Sequence, residues 1–132
     1  MTPKYVLEQL RRFEKDTDWE DEDLRRWYAK GGTGSEYMIH HNQGHRVAIE
    51  AIRNIVKSMD RLDKDVIKKF AKSQINKCKQ YLKSADESIK SEEDEDKVWN
   101  DEYFRIDGVE CGYKTILGII RKEIYFDKSP VV

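Results

Sequence analysis

The hydrophobic positions of this chain recur at intervals of three and four residues, which is the spacing of one face of an α-helix. Val6, Leu10 and Phe13 follow this spacing near the N-terminus. A longer series in the middle of the chain comprises Met38, His41, His45, Ala48, Ile52, Ile55 and Met59. The pattern therefore predicts amphipathic helices in the first half of the chain.

The same spacing continues toward the C-terminus. One series comprises Ile67, Phe70, Ala71, Gln74, Cys78, Tyr81, Leu82, Ala85 and Ile89. Another comprises Val109, Tyr113, Ile116, Ile120 and Ile124. Between Gly44 and Gly108 the chain has no glycine and no proline, the two residues that interrupt helices most reliably. This stretch predicts long helices joined by short turns.

Polar residues that cap helix N-termini divide the pattern into separate helices. The candidate N-caps are Thr2, Thr17, Ser35, Asp63 and Asp107. The predicted helices span residues 3–15, 18–30, 35–59, 63–90 and 107–126. Residues 92–106 fit either a helix or a strand, because the Asp107-Gly108 pair is also a hairpin signal.

These elements predict an all-α fold in the form of an antiparallel helical bundle. The long helices 35–59 and 63–90 are joined by a short connection, so we expect them to form an antiparallel hairpin. The shorter C-terminal helix would pack across both. A chain of 132 residues is long enough for one hydrophobic core but not for two, so residues 1–132 are expected to form a single helical domain.

The balance of charge and hydrophobicity changes the expected partners. Charged residues make up 39% of the chain and hydrophobic residues 38%, so the core must be thin. A thin core in long helices is often completed by a second copy, so we expect a homo-oligomer and favour a dimer. The small side chains of Cys111, Thr115 and Gly118 would allow a close helix crossing there. A formal net charge of -1 argues against a nucleic-acid partner.

Sequence signals for location are few. Met1–Lys4 are not followed by an apolar run, so we expect no signal peptide. No apolar run has the length of a membrane span. Two cysteines, Cys78 and Cys111, do not form a disulfide framework. We therefore expect a cytoplasmic protein without membrane contact.

His41 and His45 stand one helical turn apart, a spacing that lets two imidazoles reach one metal ion. A zincin-type enzyme would carry a glutamate directly after the first histidine, but Asn42 is there. A third ligand would come from Glu36, Glu50, Glu110 or Cys111. The alternative, which the sequence favours, is that both histidines are neutral, largely buried and hydrogen-bonded at the polar end of the core.

A glycine-rich loop at residues 31–35 precedes a helix and could present backbone N–H groups to an anion. The candidate ligand-binding residues around it are Arg25, Arg26, Trp27, Tyr28, Lys30 and Ser35. Arginine and lysine could neutralise a phosphate, and the aromatic rings could stack on a base. The Walker lysine and the dinucleotide-binding spacing are both missing. Binding of a small nucleotide-like anion is therefore kept as an alternative function.

The function that the sequence favours is protein binding without catalysis. No catalytic triad order, nucleophile elbow or Cys-x-x-Cys motif is present, and no cofactor is implied. Trp19, Trp27, Tyr28, Trp99 and Tyr103 are of the residue types that dominate interface energies. Small charged proteins of this kind are typical regulatory or accessory factors, including viral inhibitors of host systems. A metal-dependent enzyme using the histidine pair is the remaining alternative.

Overall fold

Four α-helices build the described part of the chain. The computed structural model describes residues 1–32, 36–90 and 100–127. Helix α1 spans Pro3–Ala29, α2 Glu36–Lys57, α3 Lys64–Lys90 and α4 Asp101–Ile120. Within these ranges there is no β-strand, and the helices pack against one another as a bundle. The predicted all-α class is confirmed.

Helix α1 is continuous, so the predicted break at Thr17 is wrong. Thr2 does cap the helix, because its Oγ1 accepts a hydrogen bond of 3.1 Å from the N–H of Tyr5. The Thr17 hydroxyl instead donates to the carbonyl oxygen of Phe13 at 3.1 Å, one turn earlier. A threonine bonded in this way continues a helix rather than starting one. The helix is followed by Gly31, whose φ of +89° favours glycine.

Helix α4 begins and ends earlier than predicted. Its N-cap is Asn100, whose Oδ1 accepts from the N–H of Tyr103 at 2.9 Å, so Asp107 lies inside the helix rather than at its start. Residues 92–106, which fit either a helix or a strand in the sequence analysis, are therefore helical from residue 101. Residues 91–99 lie outside the described ranges. Beyond Ile120 the chain turns at Lys122, whose φ is 60°.

The packing places α4 at the centre of the bundle. It makes extensive contacts with both α2 and α3, while α1 packs on α2. This confirms the expectation that the C-terminal helix lies across the two long helices. In the described ranges α2 and α3 touch each other sparsely at most, so α4 joins them in place of the direct pairing that we expected.

The hydrophobic series predicted from the spacing form most of the core. Its buried members are Val6, Leu10, Phe13, Ala48, Ile49, Ile52, Val56, Ile67, Ala71, Ile75, Cys78, Val109, Tyr113, Ile116, Leu117 and Ile120. On α3 the buried face runs through Ala71, Ile75 and Cys78, whereas Tyr81 is exposed. The predicted α3 face was therefore wrong at two positions, because it included the exposed Tyr81 and omitted the buried Ile75.

The segment after α4 folds back onto α1. The ring of Phe126 stacks on that of Phe13, with centroids 5.1 Å apart. The buried amide of Gln9 accepts from the Phe126 N–H at 2.7 Å and donates to its carbonyl oxygen at 3.1 Å. These contacts connect the two ends of the described chain. None of the helices in the described ranges combines the length and the apolar character needed to cross a membrane.

Candidate functional site

Glycines bring α2 and α4 unusually close together. A Cβ at Gly108 would overlap the backbone carbonyl of His41, and one at Gly44 would overlap the facing backbone of α4. Gly112 faces Ala48, whose Cβ would lie 2.9 Å from an added Cβ. Side chains of normal size cannot fit at these positions. The chain therefore has a close crossing of its own at these glycines, whereas the crossing with a second copy at Cys111, Thr115 and Gly118 stays a prediction.

The close approach gathers a set of metal-ligating side chains along one edge of the crossing. Nε2 of His41 lies 3.3 Å from Oδ2 of Asp107. Three potential ligand atoms, one each from His41, Asp107 and Cys111, all lie within 4.8 Å of one another. Each helix supplies residues one turn apart, His41 and His45 from α2 and Asp107 and Cys111 from α4. His45 contacts the His41 ring edge-on, with centroids 4.8 Å apart, but is outside the group of three.

The two histidines are largely buried, as the sequence predicts, but they are not fully hydrogen-bonded. Nδ1 of His41 and Nδ1 of His45 are both buried without a hydrogen-bond partner in the described part of the chain. Buried polar atoms are paired in the great majority of cases. The expectation that every imidazole nitrogen is satisfied is therefore wrong, and these two nitrogens need an explanation.

The surroundings of His45 keep its ring neutral. Burial lowers the pKa of His45 from 6.5 to about 4, with further lowering by His41 and Arg46 and an opposing effect of Asp21. Its ring also packs against Phe13, with centroids 5.3 Å apart. A neutral imidazole has a free lone pair, which a charged one lacks. The lowered pKa agrees with the neutral state expected for this residue.

A buried polar network fixes α1 against α2 beside the histidines. The carboxylate of Asp21, which is 6% exposed, accepts a hydrogen bond of 2.9 Å from Nδ2 of Asn42 and also pairs with Arg46. Arg46 donates in addition to Asp18 at 2.8 Å. The network orients α2 along the face that carries His41 and His45.

Of the expected third ligands whose side chains the structure describes, one lies at the histidines. Cys111 is in the cluster, whereas Glu110 pairs with Lys114 at 3.1 Å and Glu50 with Arg53 at 2.8 Å. The side chain of Glu36 is outside the described part of the structure. Sequence reasoning missed Asp107 because it assigned that residue as an N-cap. Its spacing of four residues from Cys111, which matches the spacing of the histidines, was the available signal.

The cysteines show no sign of nucleophilic activation. Burial raises the pKa of the Cys111 thiol, and the nearby Asp107 and Glu110 raise it further. Burial likewise raises the pKa of Cys78, which lies in the core on α3. A reactive cysteine needs a lowered pKa in electropositive surroundings. These sites favour a protonated thiol in the absence of a metal.

The second candidate region is the exposed end of α1, residues 25–30, which we call the aromatic tip. Trp27 is 59% exposed and Tyr28 is 52% exposed. Arg25 and Lys30 are exposed and have no ion pair within the described ranges. Arg26 is paired, with Glu22 at 2.9 Å. The last buried residue of α1 is eight residues before its end, so the tip extends beyond the core.

The side chains of the aromatic tip point in several directions. On a helix, residues three apart are neighbours, so Arg25 lies beside Tyr28 and Lys30 beside Trp27. The Trp27 indole lies against Gly32, where a Cβ would overlap the ring. Ser35 and the rest of the loop at residues 33–35 lie outside the described ranges. By helical spacing, four of the predicted ligand-binding residues are thus two neighbouring pairs of an aromatic and a cation on different sides of the helix.

The remaining predicted anchors differ in their surroundings. Trp19 is 46% exposed and lines a surface groove with Glu22, Asp23 and Arg26. Tyr103 donates a hydrogen bond of 3.0 Å to Asp86 and is only partly exposed. Trp99 lies outside the described residues. Exposure of the predicted anchors is therefore greatest at the aromatic tip.

Comparisons with models of protein families, with curated proteins and with solved structures give no match to this chain. The two candidate sites are accordingly assigned from geometry and chemistry alone.

Proposed function

We propose that this chain is a non-catalytic binding protein whose aromatic tip docks on an acidic surface of a partner protein. The observation that carries the proposal is the exposure of Trp27 and Tyr28 beside Arg25 and Lys30, two cations without ion pairs in the described ranges. Tryptophan, tyrosine and arginine are enriched among the residues that dominate binding energy. A surface that presents all three on a helix end is suited to docking.

The shape of the tip favours a macromolecule over a small anion. Small-molecule sites are concave and enclose about 70–90% of the ligand surface. The two aromatic and cationic neighbour pairs of the tip, Arg25 with Tyr28 and Lys30 with Trp27, lie on different sides of α1, so one concave site cannot enclose both. A small ligand could reach one pair, whereas a protein groove that receives the helix end could contact both.

The charge of the tip favours an acidic partner. Residues 25–30 contain three cations and no acid. Opposite charge on the partner would speed association and select against basic proteins. Acting by occupying a partner's surface, such a protein would be an inhibitor or accessory factor. The proposal includes the cytoplasmic location and the dimer expected from the sequence.

The experiment is affinity capture from the source cell followed by binding measurements on the purified pair. We expect Trp27→Ala with Tyr28→Ala to abolish capture, because both rings would leave the interface. With the purified partner, the double variant Arg25→Glu with Lys30→Glu should weaken affinity at least about tenfold, because it reverses two charges that face an acidic surface. A tenfold loss corresponds to about 1.4 kcal/mol of binding free energy. Raising the salt concentration should also weaken the complex.

Tyr81→Ala is the matched control, because Tyr81 is an exposed aromatic on α3, away from the tip. The proposal is wrong if capture survives the tip variants or if Tyr81→Ala reduces it equally. Recovery of no specific protein would also contradict it. Binding of a nucleoside triphosphate in equilibrium dialysis, lost on Arg25→Glu, would replace the protein partner by the small-anion alternative.

A further inference from the structure

We propose that the crossing of α2 and α4 is a binding site for a divalent transition metal of the zinc type, with His41, Asp107 and Cys111 as its protein ligands. This site is independent of the aromatic tip. It differs from the histidine pair expected from the sequence, because two of its three ligands come from α4.

The distances between the three side chains suit one metal ion. With metal–ligand bonds of about 2.0–2.3 Å, tetrahedral geometry places neighbouring ligand atoms about 3.3–3.8 Å apart. His41 and Asp107 already meet this condition at 3.3 Å. The whole set lies within 4.8 Å, so small side-chain movements of about 1 Å complete the geometry. Backbone movement is not needed.

The backbone around the site is held in place before any metal binds. Gly44 and Gly108 allow the two helices to touch, and the overlap that any side chain would cause shows how little free space remains. The ligands on α4 therefore have a fixed position relative to His41. A preformed arrangement of this kind is required for a tight site.

The nitrogen of His41 that faces Asp107 is the ligand atom that the geometry offers. Nε2 lies 3.3 Å from Oδ2 of Asp107, whereas Nδ1 is buried without a hydrogen-bond partner in the described ranges and lies on the other side of the ring. The His41 side chain is 16% exposed and that of Asp107 is 43% exposed, so an ion can reach Nε2 from solvent along Asp107.

The donor set selects the class of metal. Nitrogen, carboxylate oxygen and sulfur together suit Zn²⁺ and similar borderline ions. Ca²⁺ and Mg²⁺ prefer sites made entirely of oxygen. On binding, the Cys111 thiol releases its proton to solvent and its sulfur forms the metal bond. The imidazole and the carboxylate bind through lone pairs, so no oxidation or reduction takes place.

The test uses Co²⁺ as a spectroscopic probe in the purified full-length protein after treatment with a chelator and its removal. We expect one equivalent of Co²⁺ to produce a sulfur-to-cobalt charge-transfer band together with visible bands of tetrahedral Co²⁺. Zn²⁺ should displace the probe, and Mg²⁺ should not. Cys111→Ser should remove the charge-transfer band, and His41→Ala and Asp107→Asn should weaken Co²⁺ affinity by at least about 100-fold, since loss of a mere supporting residue costs about 10–100-fold.

Two matched controls are available in the chain. Cys78→Ser changes the other cysteine, which is buried on α3, and His40→Ala changes a histidine that pairs with Asp101 instead. Both should retain the bands. Absence of the bands in the wild type, or their retention in Cys111→Ser, would overturn the proposal. Bands lost equally in Cys78→Ser would do the same.

A measurement on the wild type covers the case in which a variant does not fold. We expect Zn²⁺ to slow alkylation of Cys111 by iodoacetamide at least about tenfold, because a metal-bound thiolate is not free to react. Mass spectrometry of the peptides separates Cys111 from Cys78. Equal alkylation of Cys111 with and without Zn²⁺ would contradict the proposal.

Discussion

The crossing of α2 and α4 and the aromatic tip of α1 differ in the exposure of their side chains. The crossing confines polar groups between two backbones, whereas the tip leaves large aromatic rings in solvent. At the crossing, Gly44 and Gly108 have no side chains, so two backbones touch and the polar groups of His41 and Asp107 are pressed together. At the tip, Trp27 and Tyr28 are large and remain in solvent. Small residues thus create a confined chemical site, whereas large exposed residues create a contact surface.

The comparison also separates stability from binding. The crossing contributes to the core, because Val109, Tyr113 and Ile116 on α4 are buried beside it. The tip extends beyond the last buried residue of α1, and its residues 25–30 are all exposed. Changes at the crossing should therefore affect the free energy of unfolding, and changes at the tip should affect it little. The following predictions test this difference.

The largest effect is expected for Gly108→Ala. The added Cβ would overlap the backbone carbonyl of His41, which cannot move without separating the helices. We expect a loss of about 2–3 kcal/mol in the free energy of unfolding, measured by chemical denaturation, as is typical of overpacking. Gly118→Ala is the control on the same helix, because its added Cβ meets side-chain atoms of Ile124 rather than the backbone of another helix. That variant should change stability by less than about 1 kcal/mol. Equal losses in both variants would show that the helices are not in close contact at Gly108.

A smaller effect is expected from pH, through His45. Burial lowers its pKa to about 4 from 6.5, so between these values the unfolded chain binds more protons than the folded chain. The free energy of unfolding should therefore have its highest value above pH 6.5 and decrease as the pH drops toward 4. We expect a loss of about 1–2 kcal/mol, since partial contact with solvent reduces the effect.

The pH dependence should be measured by denaturant titration of the metal-free protein. His45→Gln should flatten the curve between pH 7 and 4.5, and His40→Gln provides the histidine control on the same helix. An unchanged slope in His45→Gln would assign the acid sensitivity to other groups.

The smallest difference is expected between two arginine–carboxylate pairs. Arg46→Gln removes a partner of the buried Asp21 and should cost about 1–2 kcal/mol, because the carboxylate then has less compensation. Arg26→Gln removes an exposed pair with Glu22 near the tip and should cost less than about 0.5 kcal/mol. Thermal and chemical denaturation of both variants provide the measurement. Similar losses in the free energy of unfolding would mean that the burial of Asp21 does not increase the contribution of its pair with Arg46 to stability.

Several sequence predictions were wrong because a local signal has more than one structural meaning. Thr17 can accept a hydrogen bond as an N-cap or donate one to the preceding turn, and the packing of α1 on α2 selects the second. Asp107 was assigned as a cap for the same reason, which hid its position beside His41. Trp27 and Tyr28 were predicted as candidate binding residues because they stand beside the glycine-rich loop, and both rings are exposed in the structure.

The sequence by itself determined that the chain is helical and most of the residues that enter the core, because three-and-four spacing is a property of each helix alone. Val6, Leu10 and Phe13 are buried as that spacing predicts. Only the tertiary structure decided that α4 joins α2 and α3, and that Asp107 and Cys111 meet His41. The reason is physical: a helix pattern specifies a buried face, but the residues that this face contacts depend on which distant helix approaches it and how closely.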